Sequence, residues 1–148
     1  MNRKVVAIVV MSTLSLASCH VGQQTQPEAV TKSNSLLGTW ELTSYKYGDQ
    51  QAFSSPSEHT RRIKTITDTH YIWFQIDTST KEIQNGAGGS YSLVGDTYTE
   101  STDFAMEGMV NYLDEKHAFT VRVEGDKLTQ TGALSDGLKI EEVWHRVK

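Results

Sequence analysis

The sequence has a single cysteine, Cys19, so it cannot form an internal disulfide. It has only two prolines, and no apolar run reaches the about 20 residues that a membrane-spanning helix needs. Basic residues are scattered, with only Arg61, Arg62 and Lys64 close together, and the formal net charge is −4. This distribution lacks the basic patch of a nucleic-acid-binding domain. We therefore expect no nucleic-acid partner, and hydrophobic packing must stabilise any folded domain.

The first 18 residues have the order of a secretory signal. Arg3 and Lys4 precede a short apolar stretch that ends in small residues. The segment Leu16-Ala17-Ser18-Cys19 resembles the lipobox of bacterial lipoproteins. The resemblance implies that residues 1–18 are removed, which takes the net charge from −4 to −6, and that the Cys19 thiol carries lipid. The alternative is an ordinary signal peptide with an incidental free thiol, a liability in an oxidising compartment.

Residues 19–35 are predicted to be the lipidated cysteine and a flexible tether. The segment after Cys19 is rich in Gln, Thr and Ser and lacks periodic apolar positions. Acyl chains on the cysteine would hold the protein on a membrane at about 0.8 kcal/mol per buried CH₂. Lipoproteins of the inner membrane often have Asp after the cysteine, and His20 stands here. The resemblance therefore implies a lipid-anchored protein of the outer membrane.

Residues 36–148 are predicted to be one all-β domain. Short stretches rich in Thr, Val, Ile and Tyr alternate with Gly-Asp and Ser-Asp-Gly turns. About eight strands with mostly hairpin connections favour a single antiparallel up-and-down β-barrel. The predicted strands are 38–47, 61–66, 69–77, 88–94, 97–103, 117–124, 127–133 and 138–147.

The connection 104–116 carries apolar residues at helical spacing, namely Met106, Met109, Val110 and Leu113. It predicts a loop with one turn of helix that plugs a barrel end, rather than a mobile lid.

Turn positions predict which side chains face inward. A two-residue turn at Gly95-Asp96 pairs Tyr91 with Glu100, and strand alternation from the turn at Gly125-Asp126 places Gln130 inward. The same alternation places Glu142 on the inner face of the last strand.

Strand 69–77 is ambiguous. Its alternation predicts that His70, Ile72, Phe74 and Ile76 face inward. Tyr71 and Trp73 on the other face are also bulky, however.

The two ends of the domain resemble the calycin superfamily, which contains the lipocalins and the fatty-acid-binding proteins. A Gly-Thr-Trp segment opens the first strand, and Glu-Glu-Val-Trp-His-Arg-Val closes the last. The resemblance implies that these strands pair, that Trp40 plugs one end, and that Arg146 packs across it. The domain also resembles small lipocalin-like lipoproteins of the Bacteroidota. Their function is unknown, so this resemblance implies no activity. Fatty-acid-binding proteins hold the ligand carboxylate with an Arg-x-Tyr pair on the last strand. Glu142 and Trp144 occupy these positions here, and a glutamate would repel a fatty-acid head group, so we do not expect fatty-acid binding.

The candidate ligand-binding residues are the inward polar side chains and the tryptophans beside them. They are Glu142, Trp144, Trp40, His70, Tyr91, Tyr98, Glu100 and Gln130. A buried carboxylate needs donors, water or a ligand, so the expected ligand is small and either apolar or neutral to cationic. An internal hydrogen-bond network in a filled barrel is an equally weighted alternative. A filled barrel would act through its outer surface on a protein partner of the cell envelope.

No catalytic, metal or cofactor site is predicted. The histidines lack the short spacing of metal ligands, and there is no nucleophile elbow. The Gly-Ala-Gly-Gly run at 86–89 lacks the helix that follows a phosphate loop and predicts a bend or bulge in a strand. An isomerase that uses Glu100 and Glu142 as an acid–base pair is a distant third possibility.

Overall fold

The structure is a computed structural model that describes residues 33–148. A four-residue helix, α1 (Ser33–Leu36), leads into eight strands. These are β1 (Gly38–Tyr47), β2 (Thr60–Ile66), β3 (His70–Asp77), β4 (Ile83–Val94), β5 (Thr97–Ala105), β6 (Lys116–Glu124), β7 (Lys127–Ala133) and β8 (Lys139–Arg146). A 3₁₀ helix, Glu107–Tyr112, joins β5 to β6. The predicted signal peptide, Cys19 and most of the predicted tether lie outside the described residues.

The strands form one closed antiparallel barrel, which confirms the predicted fold class. Each strand pairs with the next along the chain, and β8 pairs with β1. Closure removes the unpaired strand edges that an open sheet would present. In the described part of the chain, no helix has the length and apolar character that a membrane crossing requires.

Strand β4 is longer than predicted, because it begins at Ile83 rather than at residue 88. The Gly-Ala-Gly-Gly run therefore lies inside the strand. The register against β5 shifts between Gly88 and Gly89, which confirms the predicted bulge. A side chain at Gly88 would collide with the ring of Phe104 and the backbone of Tyr71, so close packing requires glycine there.

One end of the barrel is sealed as the resemblance implied. Trp40 is fully buried, and its indole N–H donates to the carbonyl oxygen of Leu36 at 2.9 Å. The Arg146 guanidinium lies 4.0 Å from the centroid of the Trp40 ring and donates to the backbone oxygens of Ser35 and Leu37. Gly38 has φ +128°, and a Cβ there would lie 2.5 Å from Arg146 Nη1. We call this the closed end.

The closed half of the barrel is filled by the hydrophobic core. Its members include Leu36, Trp40, Ile66, Tyr98, Val121 and Leu128. The β2–β3 connection lies at this end because Gly38 pairs with Ile66, and the turn after β6 lies there because the Arg146 amide donates to the Asp126 carbonyl oxygen. Since each strand pairs with the next along the chain, the turn after β4 lies at the same end.

The opposite end is the mouth, formed by the β1–β2 connection, the 3₁₀ helix and the turn between β7 and β8. The 3₁₀ helix has no buried residue, and Val110 and Leu113 are exposed. The prediction that this segment plugs a barrel end is therefore wrong. The segment instead stands beside the opening and contributes Met109 and Tyr112 to its wall.

Candidate functional site

A cavity of about 240 Å³ lies between the core and the mouth. Trp73, Phe119, Leu134, Ile140 and Trp144 supply much of its apolar wall, and Met109 and Tyr112 stand at its opening. Its polar wall consists of Tyr47, Arg62, Lys64, Asn85, Glu100, Gln130 and Glu142. Most of these polar groups form two networks at different depths.

The deeper network is the floor of the cavity, formed by Lys64, Glu100 and Gln130. Lys64 is only 2% exposed, and its ammonium donates to Glu100 Oε1 at 2.9 Å and to Gln130 Oε1 at 2.8 Å. It also lies 5.1 Å from the centroid of the Trp144 ring. A lysine is almost never fully buried unless it is paired. The floor is therefore an ion pair braced by an amide and an aromatic face.

The shallower network is the upper ring, formed by Tyr47, Arg62, Glu142 and Gln75. The Tyr47 hydroxyl donates to Glu142 Oε1 at 2.5 Å and accepts from Arg62 Nη1 at 2.6 Å. Arg62 Nη1 lies 3.6 Å from Glu142 Oε1, and Arg62 Nη2 donates to Gln75. The indole N–H of Trp144 donates to the second oxygen of Glu142. Glu142 therefore has hydrogen-bond and charge partners within the protein and does not need a ligand to supply them.

Burial raises the pKa of Tyr47 in the upper ring and of Tyr98 beneath the floor. Burial raises the pKa of Tyr47 far above its usual range, and the adjacent Glu142 charge adds to the rise. Burial also raises the pKa of Tyr98, with a further contribution from Glu100. Both phenols remain protonated well above neutral pH. The Tyr98 hydroxyl is buried without a hydrogen-bond partner in the described part of the chain.

A bulge in β1 brings Tyr47 into the cavity. Trp40 and Leu42 face inward, and the pairing with β8 then shifts between Leu42 and Ser44. The extra residue reverses the alternation, so Tyr45 and Tyr47 take the inner face. Simple alternation from Trp40 would have placed Tyr47 outside.

Several predicted site residues lie where the sequence placed them. Glu100, Gln130, Glu142 and Trp144 are buried and line the cavity. Trp40 and Tyr98 are fully buried but lie in the core beneath the cavity rather than in its wall.

Tyr91, a predicted site residue, does not line the cavity, and its hydroxyl does not bond to Glu100. The two residues are opposite in register, as predicted. The Tyr91 hydroxyl, however, donates to the carbonyl oxygen of Thr67 at the closed end. Lys64 is the cation that pairs with Glu100.

The inward placement of His70 is wrong. His70 is exposed, and its ring bonds to the neighbouring Thr69 hydroxyl. The aromatic pair Tyr71 and Trp73 takes the inner face of β3, where Tyr71 is buried and Trp73 lines the cavity. The large rings are buried there, and the polar imidazole remains in solvent.

Arg62 and Lys64, the two cations of the cavity, were missed by the sequence analysis. Lys64 lies opposite Trp40 in the β1–β2 pairing, so it shares the inner face with that tryptophan. The segment between β1 and β2, residues 48–59, is too long for turn geometry to set this register. Ile63 on the other face is buried as well, so apolar alternation gives no signal.

In residues 33–148, no group of three or more His, Cys, Asp or Glu side chains is arranged to hold a metal ion.

Comparison with known proteins gives likeness in structure only. No protein-family model matches the sequence, and no curated protein matches it. A lipocalin-like protein from Bacteroides uniformis is similar in structure, with 17% identity and a TM-score of 0.53 over 76% of this chain and 99% of its own. An uncharacterized protein from Bacteroides eggerthii has 15% identity and a TM-score of 0.52 over 75% of this chain and 98% of its own. At these identities the likeness concerns the fold alone: the domain is a lipocalin-like barrel.

Proposed function

We propose that this barrel binds a small, largely apolar molecule in its cavity. The observation that carries the proposal is an open space of about 240 Å³ above a sealed core. An eight-stranded barrel can be filled by its own side chains or hold one small ligand. Here the side chains fill only the closed half.

The size of the cavity limits the ligand. Small-molecule sites typically enclose roughly 300–1,000 Å³, so a cavity of about 240 Å³ suits a compact molecule. Trp73, Phe119 and Trp144 offer flat apolar surfaces to its body. The sequence left an apolar, a neutral or a cationic ligand open, and the cationic alternative depended on Glu142 having no cation beside it. Arg62 stands beside Glu142, and this favours a neutral ligand.

Native mass spectrometry of protein purified from its own host tests the proposal. We expect a retained small molecule in the wild type. Leu134→Trp, which adds volume to the cavity wall, should release it, whereas Val94→Trp on the exposed far turn should retain it. Absence of any bound molecule, or equal retention in both variants, would contradict binding in the cavity.

We also propose that Cys19 carries a lipid anchor and that the protein resides at the outer membrane. The lipobox-like segment supports this proposal. The described domain begins at Ser33 beside the closed end, where Arg146 bonds to the backbone of Ser35. An anchor attached through residues 20–32 would therefore join the domain at the end opposite the mouth.

A second candidate function is contact with a protein partner of the cell envelope. An apolar groove on the outer surface, lined in part by Ile72, Ile83, Phe104 and Met106, supports it. Exposed apolar grooves of this kind are typical of interaction sites. Phe104→Ser should weaken crosslinking to such a partner in cells while leaving the ligand of the cavity in place. Unchanged crosslinking would remove the groove from consideration.

A further inference from the structure

The cavity wall contains two cations and two carboxylates, matched in pairs; Lys64, Glu100 and Glu142 are buried, and Arg62 is partly buried. Lys64 pairs with Glu100 at 2.9 Å in the floor, and Arg62 lies 3.6 Å from Glu142 in the upper ring. Arg62 and Lys64 are two residues apart on β2, so the pairs lie about 6–7 Å apart along the strand. The polar wall of the cavity is therefore charge-balanced at both depths.

A charged ligand would either break one of these pairs or add an unbalanced charge beside an intact pair. An anion that approached Lys64 would compete with Glu100, and a cation that approached Glu100 would compete with Lys64. In either case one buried charge, of the protein or of the ligand, would be left without a partner, which is strongly unfavourable. Partial exchange of partners does not help, because the displaced side chain would stay in a buried part of the wall: Lys64 is 2% and Glu100 6% exposed.

A neutral hydrogen-bonding group can join the floor without displacing anything. Gln130 accepts from Lys64 through Oε1, and in the described residues its amide NH₂ has no protein acceptor. The Lys64 ammonium has three donors, of which Glu100 and Gln130 occupy two. The floor can therefore donate to a ligand carbonyl, and the carboxylate of Glu100 can accept from a ligand N–H.

We propose that the ligand has no net charge and that its polar end is an amide-type group, a neighbouring carbonyl and N–H, held on the Lys64–Glu100–Gln130 floor. This inference rests on the proposed binding function. The apolar body of the ligand lies toward the mouth, against Trp73 and Leu134. The two ion pairs thus act as specificity-determining residues that reject ions of either sign.

Three probes with the same chain and different head groups test this inference: octanamide, octanoate and octylammonium. Binding is followed by the fluorescence of Trp73 and Trp144, which line the cavity. We expect wild-type protein to bind octanamide at least about tenfold more tightly than either ion. Glu124→Gln, in an exposed pair with Arg122, is the matched control and should keep that order.

Removal of one charge should reverse the preference. Glu100→Gln leaves Lys64 without its carboxylate and should make octanoate the preferred probe. Lys64→Gln leaves Glu100 without its cation and should make octylammonium preferred. The double variant Lys64→Gln/Glu100→Gln should prefer octanamide again. If a single variant fails to fold, the double variant and Glu142→Gln in the less buried upper ring, which should gain affinity for octanoate, provide the same comparison.

The outcomes separate this inference from the proposed function. Similar affinities for the three probes, abolished by Leu134→Trp, would overturn the head-group inference and leave binding in the cavity intact. A wild-type preference for octanoate or octylammonium would also overturn it. If no probe binds the wild type or any variant, the head-group inference fails, and the proposed function fails with it when native mass spectrometry also finds no ligand.

Discussion

Removal of the Lys64 charge should strongly destabilise the domain. Lys64→Met preserves the length and apolar stem of the side chain but leaves Glu100, which is 6% exposed, without its cation. The amide oxygen of Gln130 also loses its donor. Breaking a buried ion pair from one side typically costs about 3–5 kcal/mol. That is a large part of the roughly 5–15 kcal/mol that stabilises a typical domain.

The measurement is urea-induced unfolding of residues 33–148, followed by circular dichroism at a constant m-value. Arg122→Met is the control, because Arg122 and Glu124 form an exposed pair that should contribute at most about 1 kcal/mol. The double variant Lys64→Met/Glu100→Leu removes both charges and should recover most of the loss, since apolar replacement of a buried pair is often neutral or stabilising. A loss below about 1 kcal/mol in Lys64→Met, equal to that of the control, would refute the idea that this pair is buried and coupled.

Three further predictions concern the closed end, the buried tyrosines and the N-terminus. Trp40→Ala should cost about 3–5 kcal/mol in the same unfolding assay, because it empties the sealed end of the core; a cost near zero would contradict a structural plug. Tyr47 and Tyr98 have raised pKa values in the folded state. Their contribution to stability is therefore complete below the usual tyrosine pKa of about 10 and is lost as the pH rises above it. Tyr98→Phe should reduce the fall in unfolding free energy between about pH 9 and 11, and an unchanged slope would contradict this assignment. Cys19→Ser should abolish labelling by lipid precursors and membrane partitioning; a variant that retains both would disprove the anchor.

The barrel and half of its inner wall were predictable from the sequence because they depend on local geometry. The two-residue turns at Gly95-Asp96 and Gly125-Asp126 set the register of their hairpins, and strand alternation then follows. Gln130 was placed correctly in this way, and alternation along the last strand placed Glu142; both line the cavity.

The tertiary structure alone decided the charge balance of the cavity. The pairing of Trp40 with Lys64 follows a long connection, so no turn signalled that a lysine faces inward. The sequence of β1 does not signal the bulge that brings Tyr47 into the upper ring. On β3, burial of Tyr71 and Trp73 leaves His70 on the outer face. Barrel closure brings β2, β5, β7 and β8 around one cavity, so Lys64 meets partners that are 36 and 66 residues away in the chain. Hydrophobic alternation describes one strand at a time, whereas the neutralisation of a buried charge depends on which strands face each other.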